Sequence, residues 1–254
     1  MEETAMKIQV MSDLHLEFEA FRPVNHGADL LILAGDVAEG GPDVAWMHDV
    51  REEFPYVLYI PGNHEYYNND ITIVDAKWLK FAKDHSGFWY KNPGMLKLDG
   101  KRILAGCWWT DFWGELYYEQ IASQWMNDYR LIDWNGNPFM PKHAKWINGV
   151  QNDFFRQMAG RYDNIDLVVT HHGPTTASIN TGRHTNRMID PAYANKKEAL
   201  VAQIGPKYWI HGHTHHNVNY EVLNDHGFDT KVISNCKGYR NENKEFNPNF
   251  IIEI

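Results

Sequence analysis

Five times along the chain, a short apolar run stops at a cluster of Asp, Asn or His side chains. Ile8-Gln9-Val10-Met11 gives way to Ser12-Asp13-Leu14-His15, Leu30-Leu31-Ile32-Leu33-Ala34 to Gly35-Asp36, and Tyr56-Val57-Leu58-Tyr59-Ile60 to Pro61-Gly62-Asn63-His64-Glu65. Farther on, Ile165-Asp166-Leu167-Val168-Val169 leads into Thr170-His171-His172, and Tyr208-Trp209-Ile210 into His211-Gly212-His213-Thr214-His215. Near-continuous apolar runs of about five residues suit strands covered on both faces. Helical patterns at 42–53 and 72–83 favour an α/β fold over an all-β one. Open sheets of this kind place their working loops beyond the carboxyl ends of the strands. All five polar clusters occupy that position.

Two further patterns argue against a purely parallel sheet. Met95-Leu96-Lys97-Leu98, Asp99-Gly100 and Ile103-Leu104-Ala105 read as a hairpin with a tight turn, and a second hairpin joins 218–223 to 228–234 through Asn224-Asp225-His226-Gly227. Mixed sheets with helices outside are expected. The stretch 110–162 is rich in aromatics, with helical periodicity at 115–127 and 142–158. Its length suits a helical excursion over the loops within a single domain spanning 1–254, since so short a piece buries little core alone.

Composition narrows the function classes. The first residues lack the basic segment and long apolar run of a secretory signal, and no apolar stretch reaches the length of a membrane span, so a cytoplasmic protein without membrane attachment is expected. Cys107 and Cys236 lie far apart beside apparent strands and read as buried thiols. A net charge of -9 argues against nucleic acid as a partner, because such binding draws on concentrated Lys and Arg. It does not exclude a small anionic ester, since two divalent cations in the polar clusters would reverse the local field.

The clusters have the composition of a metal site. Asp13 and His15 are two residues apart, so on extended backbone they share a side. Asp36, with two carboxylate oxygens, can bridge two cations at the roughly 3.5–4 Å separation useful in phosphoryl chemistry. Asn63 offers a neutral amide oxygen, and the adjacent His64 remains available for proton transfer or for stabilising a phosphoryl oxygen. His213 and His215 repeat the alternate spacing, and so many imidazoles in one segment are hard to explain as packing, because each would need a buried partner. His171 directly follows a strand, while His172 begins the loop, where it would meet substrate or orient a ligand. One asparagine, two aspartates and four histidines suit two divalent or mixed-valence ions of Mn, Fe or Zn better than Mg. Spacing alone does not divide the ligands between the ions.

The ordered series Asp13-x-His15, Gly35-Asp36, Gly62-Asn63-His64-Glu65, His171 and Gly212-His213-x-His215 resembles the calcineurin-like metallophosphoesterases over most of the chain. That resemblance implies a four-layer α/β/β/α sandwich with two mixed sheets. It also implies that Asp13, His15, Asp36 and His215 surround one metal and Asp36, Asn63, His171 and His213 the other, with His64 as the catalytic histidine. Phosphoprotein phosphatases of this superfamily carry an Asp-Arg pair after Gly-Asp and an Arg after Asn-His-Glu. Here the chain continues Val37-Ala38-Glu39-Gly40 and Tyr66-Tyr67, which points toward the small bacterial-type phosphohydrolases.

The expected activity is hydrolysis of a small phosphomonoester or phosphodiester by metal-activated hydroxide, without a covalent intermediate. Arg130, His172, Arg183, His184 and Arg187 are the candidate substrate contacts. The run Trp108-Trp109-Thr110-Asp111-Phe112-Trp113 either fills core or walls the site, and exposed rings there would favour a planar leaving group. The rival readings are a nuclease on the same two-metal core and a metal-binding scaffold without turnover.

Overall fold

A computed structural model describes residues 5–179, 188–240 and 242–254. The strands are β1 (Lys7–Met11), β2 (Leu30–Ala34), β3 (Tyr56–Ile60), β4 (Asn69–Asp70), β5 (Phe88–Tyr90), β6 (Gly94–Leu98), β7 (Lys101–Gly106), β8 (Ile132–Trp134), β9 (Asn137–Pro138), β10 (Leu167–Thr170), β11 (Tyr208–His211), β12 (Asn219–Leu223), β13 (Asp229–Ser234) and β14 (Ile251–Glu253). The helices are α1 (Val44–Glu53), α2 (Ile71–Asp84), α3 (Leu116–Trp125), α4 (Asp128–Leu131), α5 (Pro141–Arg161) and α6 (Glu198–Ile204).

One sheet runs β14-β1-β2-β3-β5, parallel except for the β14 edge. The other runs β12-β13-β11-β10-β7-β6, with a parallel centre and an antiparallel hairpin at each edge. Both sheets are mixed, and the two expected hairpins are β6–β7 and β12–β13.

Alternation along the strands explains the layers. Ile8, Val10, Ile32, Leu58 and Ile60 from the first sheet share one buried cluster with Ile103, Ala105, Leu167, Val169 and Ile210 from the second. The intervening residues face outward onto helices. Leu31, Leu33, Val57 and Tyr59 meet Met47 and Val50 of α1 and Val74, Trp78 and Phe81 of α2. Leu104, Val168, Trp209 and Val232 meet Phe155 of α5 and Leu200, Val201 and Ile204 of α6. Helix, sheet, sheet and helix therefore stack in that order. Each fully buried Val, Leu, Ile or Phe contributes roughly 1.5–3 kcal/mol, and nearly every residue of β1, β2 and β3 is buried.

The 110–162 stretch holds α3, α4, β8, β9 and α5. A short third sheet, β4-β8-β9, ties it to the chain just after the Asn63–Tyr67 loop. Ala122, Met126, Ile132, Phe139 and Ala144 join the cluster under α1 and α2. This is how the excursion reaches the carboxyl ends of the strands. No helix among the described residues is long and apolar enough to cross a membrane.

Candidate metal centre and cleft

The five polar clusters converge because β1, β2 and β3 of one sheet and β10 and β11 of the other end at the same rim. Backbone bonds cross between their loops: Asp13 N–H donates to the Gly35 carbonyl (2.9 Å), His15 N–H to that of Asp36 (3.1 Å), and Gly212 N–H to that of His171 (3.0 Å). A Cβ on Gly35 would lie 2.4 Å from His171 Nδ1, and one on Gly62 would lie 2.2 Å from Asp36 Oδ1. These glycines are the condition for so close an approach. Glu65 acts as a staple, its carboxylate accepting the backbone N–H groups of Asp36 (2.8 Å), Val37 (2.6 Å) and Gly62 (2.6 Å).

The alternate spacing of the ligand pairs works differently from the extended-backbone expectation. Asp13 (φ 53°), His15 (φ 48°), Asp36 (φ 53°), His213 (φ 68°) and His215 (φ 53°) all lie in the left-handed region. Such backbone is uncommon for residues with a side chain and concentrates at functional sites. Left-handed residues in tight loops, rather than strand pleating, bring the paired side chains together.

Two clusters of ligand atoms result, one formed by Asp13, His15, Asp36 and His215 and the other by Asp36, His171 and His213, with the atoms of each set within 4.8 Å of one another. Asp36 belongs to both. In the first, His15 Nε2 lies 3.0 Å from His215 Nε2 and 3.8 Å from Asp36 Oδ2, and His215 Nε2 lies 3.4 Å from Asp13 Oδ1. In the second, His171 Nε2 lies 3.3 Å from Asp36 Oδ2, 3.2 Å from Asn63 Oδ1 and 3.2 Å from His213 Nδ1.

Outward partners decide what these atoms offer. His15 Nδ1 faces Glu17 Oε1 (2.9 Å), His215 Nδ1 faces Glu242 Oε2 (2.6 Å), and His171 Nδ1 faces the Ala34 carbonyl (2.9 Å). Each partner is an acceptor, so each Nδ1 carries a proton and each Nε2 turns a lone pair inward. Asn63 is fixed the same way: its Nδ2 donates to Asp128 Oδ1 (2.9 Å) and Tyr67 Oη (3.1 Å), which leaves Oδ1 facing the cluster. Inward there are carboxylate, amide-oxygen and imidazole lone pairs. A set of facing acceptors is stable around positive charge, and this mixture of nitrogen and oxygen donors has the chemistry of a metal site. The same pull acts on the rings. Burial opposes charge on His171, but Asp36 outweighs it and raises the ring to about 9, so a proton competes with a cation for its inward Nε2 lone pair.

A cleft of about 320 Å³ opens over the clusters, lined by Asp36, Asn63, His64, His213 and His215. Tyr67, Trp125, Tyr193 and Tyr239 form its aromatic wall. His64 stacks on Tyr67 with ring centroids 4.2 Å apart, and it is held at both nitrogens, Nδ1 3.3 Å from Glu17 Oε1 and Nε2 3.2 Å from the Tyr239 hydroxyl. Burial disfavours its charged form. Asp36 and Glu17 nevertheless carry it up to about 9.

The expected substrate contacts fare differently. His172 is buried behind the metal clusters, its backbone N–H and Nδ1 both directed at the Cys107 carbonyl and its ring 4.3 Å from that of His213. Burial drives it down to about 3, with His171 adding to the effect. It therefore packs against the His213 ring and does not line the cleft. Arg130 likewise lies outside the lining, its guanidinium bonded to the Gln124 carbonyl. Arg183, His184 and Arg187 lie outside the described residues. Trp108, Trp109 and Phe112 are buried core, so the aromatic wall is built from other rings. Glu17, Asp128, Tyr239 and Glu242 were not marked by the sequence patterns. Glu17 alone carried a local signal, continuing the alternate spacing of Asp13 and His15.

Comparison with known proteins identifies the family and the fold. The chain is 24% identical over 282 aligned positions to the uncharacterized protein L509 of Acanthamoeba polyphaga mimivirus, covering 97% of this chain and 96% of that one. A shorter match, 40% identical over 62 residues, covers 22% of this chain and 19% of the [acyl-carrier-protein] phosphodiesterase PptH of Mycobacterium tuberculosis. The crystal structure of that phosphopantetheinyl hydrolase superposes with a TM-score of 0.72 at 16% identity, covering 99% of this chain and 96% of that one. The profile of calcineurin-like phosphoesterases matches residues 6–217, which span every proposed ligand and His64. With paired clusters for metal at the rim of a four-layer sandwich, this chain is a metal-dependent hydrolase and belongs to the calcineurin-like phosphoesterase family.

Proposed function

We propose that the protein hydrolyses a small phosphomonoester or phosphodiester, with Asp13, His15, Asp36 and His215 holding one cation and Asp36, Asn63, His171 and His213 the other. The observation that carries this reading is the sharing of Asp36 between two ligand clusters on the floor of an aromatic cleft. When bound, two such cations lower the pKa of water toward neutrality and offset charge on phosphoryl oxygens. Asp36 fixes the spacing of the two clusters. His64 presents Nε2 to the cleft beside the Tyr239 hydroxyl and donates its proton to the departing ester oxygen. Tyr67, Trp125, Tyr193 and Tyr239 favour an apolar or planar leaving group by stacking.

The test is a hydrolysis screen with protein loaded separately with Mn, Fe or Zn. Its substrates are aryl and alkyl monoesters, diesters, nucleotides, phosphopeptides, single-stranded nucleic acid and a phosphopantetheinylated carrier protein. That last diester is included because the name of PptH describes a phosphodiesterase acting on acyl-carrier protein. Chelator-sensitive turnover of a small ester is expected, and His64→Ala should lower it by roughly 10² to 10⁴ at unchanged metal content. The loss should be greater for a poor leaving group than for an activated aryl ester. Turnover confined to phosphopeptides or nucleic acid would reverse the substrate assignment. A fully metal-loaded protein inert toward every ester would favour the scaffold reading.

A further inference from the structure

Glu17 lies on neither ligand cluster and does not line the cleft, yet one of its oxygens meets two functional rings. Its Oε1 is 2.9 Å from His15 Nδ1 and 3.3 Å from His64 Nδ1, and those two rings pack edge-on with centroids 4.5 Å apart. The other oxygen, Oε2, accepts the Glu39 N–H (3.1 Å), which ties the carboxylate to the loop after Asp36. Only 17% of the Glu17 side chain is exposed. We propose that Glu17 is a shared positioning carboxylate, which fixes the Nδ1–H form of His15 and His64 together so that both Nε2 atoms face the reaction.

Three features carry the assignment. Carboxylates accept and do not donate, so Glu17 selects the ring form with a proton on Nδ1 in both histidines. In each ring the opposite nitrogen has a separate destination, His15 Nε2 facing the first cluster and His64 Nε2 facing the Tyr239 hydroxyl at the cleft. The set of Glu17, His15 and His64 also has the composition of a third metal site. His15 already commits its inward nitrogen to Asp36 and His215, and the 2.9 and 3.3 Å separations from Glu17 are those of hydrogen bonds. One anion thus couples the orientation of a metal ligand to that of the proton donor.

The activity arm rests on the phosphoesterase reading above, whereas the spectroscopic arm does not. In zinc-loaded protein, NMR of the imidazoles should show Nδ1–H protons on His15 and His64 that are shifted downfield and slow to exchange because Glu17 accepts them, and Glu17→Ala should move both upfield and speed their exchange. Glu17→Gln keeps an acceptor oxygen and should largely reverse both changes. At saturating zinc, Glu17→Ala should lower kcat by about 10- to 100-fold with KM little changed, the usual range for groups that orient a ligand from behind. Glu17→Gln should recover most of that loss. Placed on His64→Ala, the Glu17→Ala effect on kcat should shrink severalfold, because one of the two rings it positions is gone. Equal losses in both backgrounds, or a wild-type His64 protonated only at Nε2, would overturn the proposal. Three zinc ions in wild type and two in Glu17→Gln would overturn it in favour of a ligand role. A wild-type protein without phosphoesterase turnover would sink the functional reading while the NMR arm still decides the role of Glu17.

Discussion

Adding a single methyl group at Gly62 tests whether close loop approach builds the metal centre. The Cβ of Gly62→Ala would lie 2.2 Å from Asp36 Oδ1 and 2.6 Å from both Cε1 and Nε2 of His171. Ordinary contact begins near 3.4 Å, so relief requires shifts of about 1.2 Å (3.4 − 2.2) at Asp36 and about 0.8 Å (3.4 − 2.6) at His171. Gly62 does not have a positive φ, so an alanine there meets no left-handed strain and the effect is steric. Neither neighbour has room to give. Asp36 Oδ1 accepts the His64 N–H (2.8 Å), and His171 is tied through Nδ1 to the Ala34 carbonyl.

Overpacking of this kind costs typically ~1–3 kcal/mol of stability, and a misplacement of ~1 Å in a catalytic constellation costs on the order of 10² in rate. Gly62→Ala should therefore lose about 10²-fold in chelator-sensitive hydrolysis and bind metal more weakly, while remaining folded by circular dichroism. Gly149→Ala is the matched control: it lies within α5 with nothing within 4 Å of its Cβ, and should gain roughly 0.5–1 kcal/mol from helix propensity. Denaturant unfolding, metal titration and turnover on the same preparations check both. Wild-type metal affinity and turnover in Gly62→Ala would refute the claim that Gly62 is the condition for Asp36 and His171 to meet.

Two other outcomes follow from the same geometry. Asp36→Asn should lower occupancy at both metal positions, whereas His15→Ala should act mainly on one, as read by metal analysis and by anomalous scattering in crystals grown with excess Mn or Zn. Away from the ligands, burial raises the Asp75 carboxyl to about 6 against hydrogen bonds from Tyr90, Tyr66 and Asn92. The folded value lies above the unfolded one of about 3.9, so the associated stability is full below pH ~4 and is lost as pH rises through about 6. Asp75→Asn should flatten the pH dependence of unfolding free energy across that window.

What could be read from the sequence follows from what generates local patterns. β1, β2, β3, β10 and β11 are buried on both faces and so appear as unbroken apolar runs, and each run ends where its ligands begin. The amphipathic helices α1, α2, α3 and α5 appear at the expected places for the same kind of reason. β5 and β14, each three residues long, were missed because their existence depends on an edge offered by β3 or β1. Asp128 and Glu242 were missed because they meet their partners across long separations, Asn63 with Asp128 and His215 with Glu242, and no local spacing encodes such pairs. His172 shows the converse: adjacent to a proposed ligand in sequence, it does not line the cleft, because its ring is buried with Nδ1 held at the Cys107 carbonyl.

The left-handed ligands explain why the centre belongs to the core more than to its loops. A residue with a side chain in that region costs of order 1–3 kcal/mol. For Asp13, His15, Asp36, His213 and His215 together the cost is on the order of 5–15 kcal/mol, as large as the whole net stability of an ordinary domain. Local preference therefore cannot hold these loops. They must be over-determined from outside, and the bonds that do so run between sheets and between loops: Glu65 onto Asp36, Val37 and Gly62, His213 N–H onto Asp13 Oδ1 (2.9 Å), Lys237 N–H onto the Ser12 carbonyl (3.0 Å), and Gly238 N–H onto that of Asp13 (2.9 Å). The Glu65 bonds join the loops after neighbouring strands β2 and β3, whereas the other three depend on the two sheets being face to face, and that arrangement is held by the cluster of Ile8, Val10, Ile32, Leu58, Val169 and Ile210 between them. The proposed ligands of both sites thus have their geometry set by apolar side chains that lie outside either cluster.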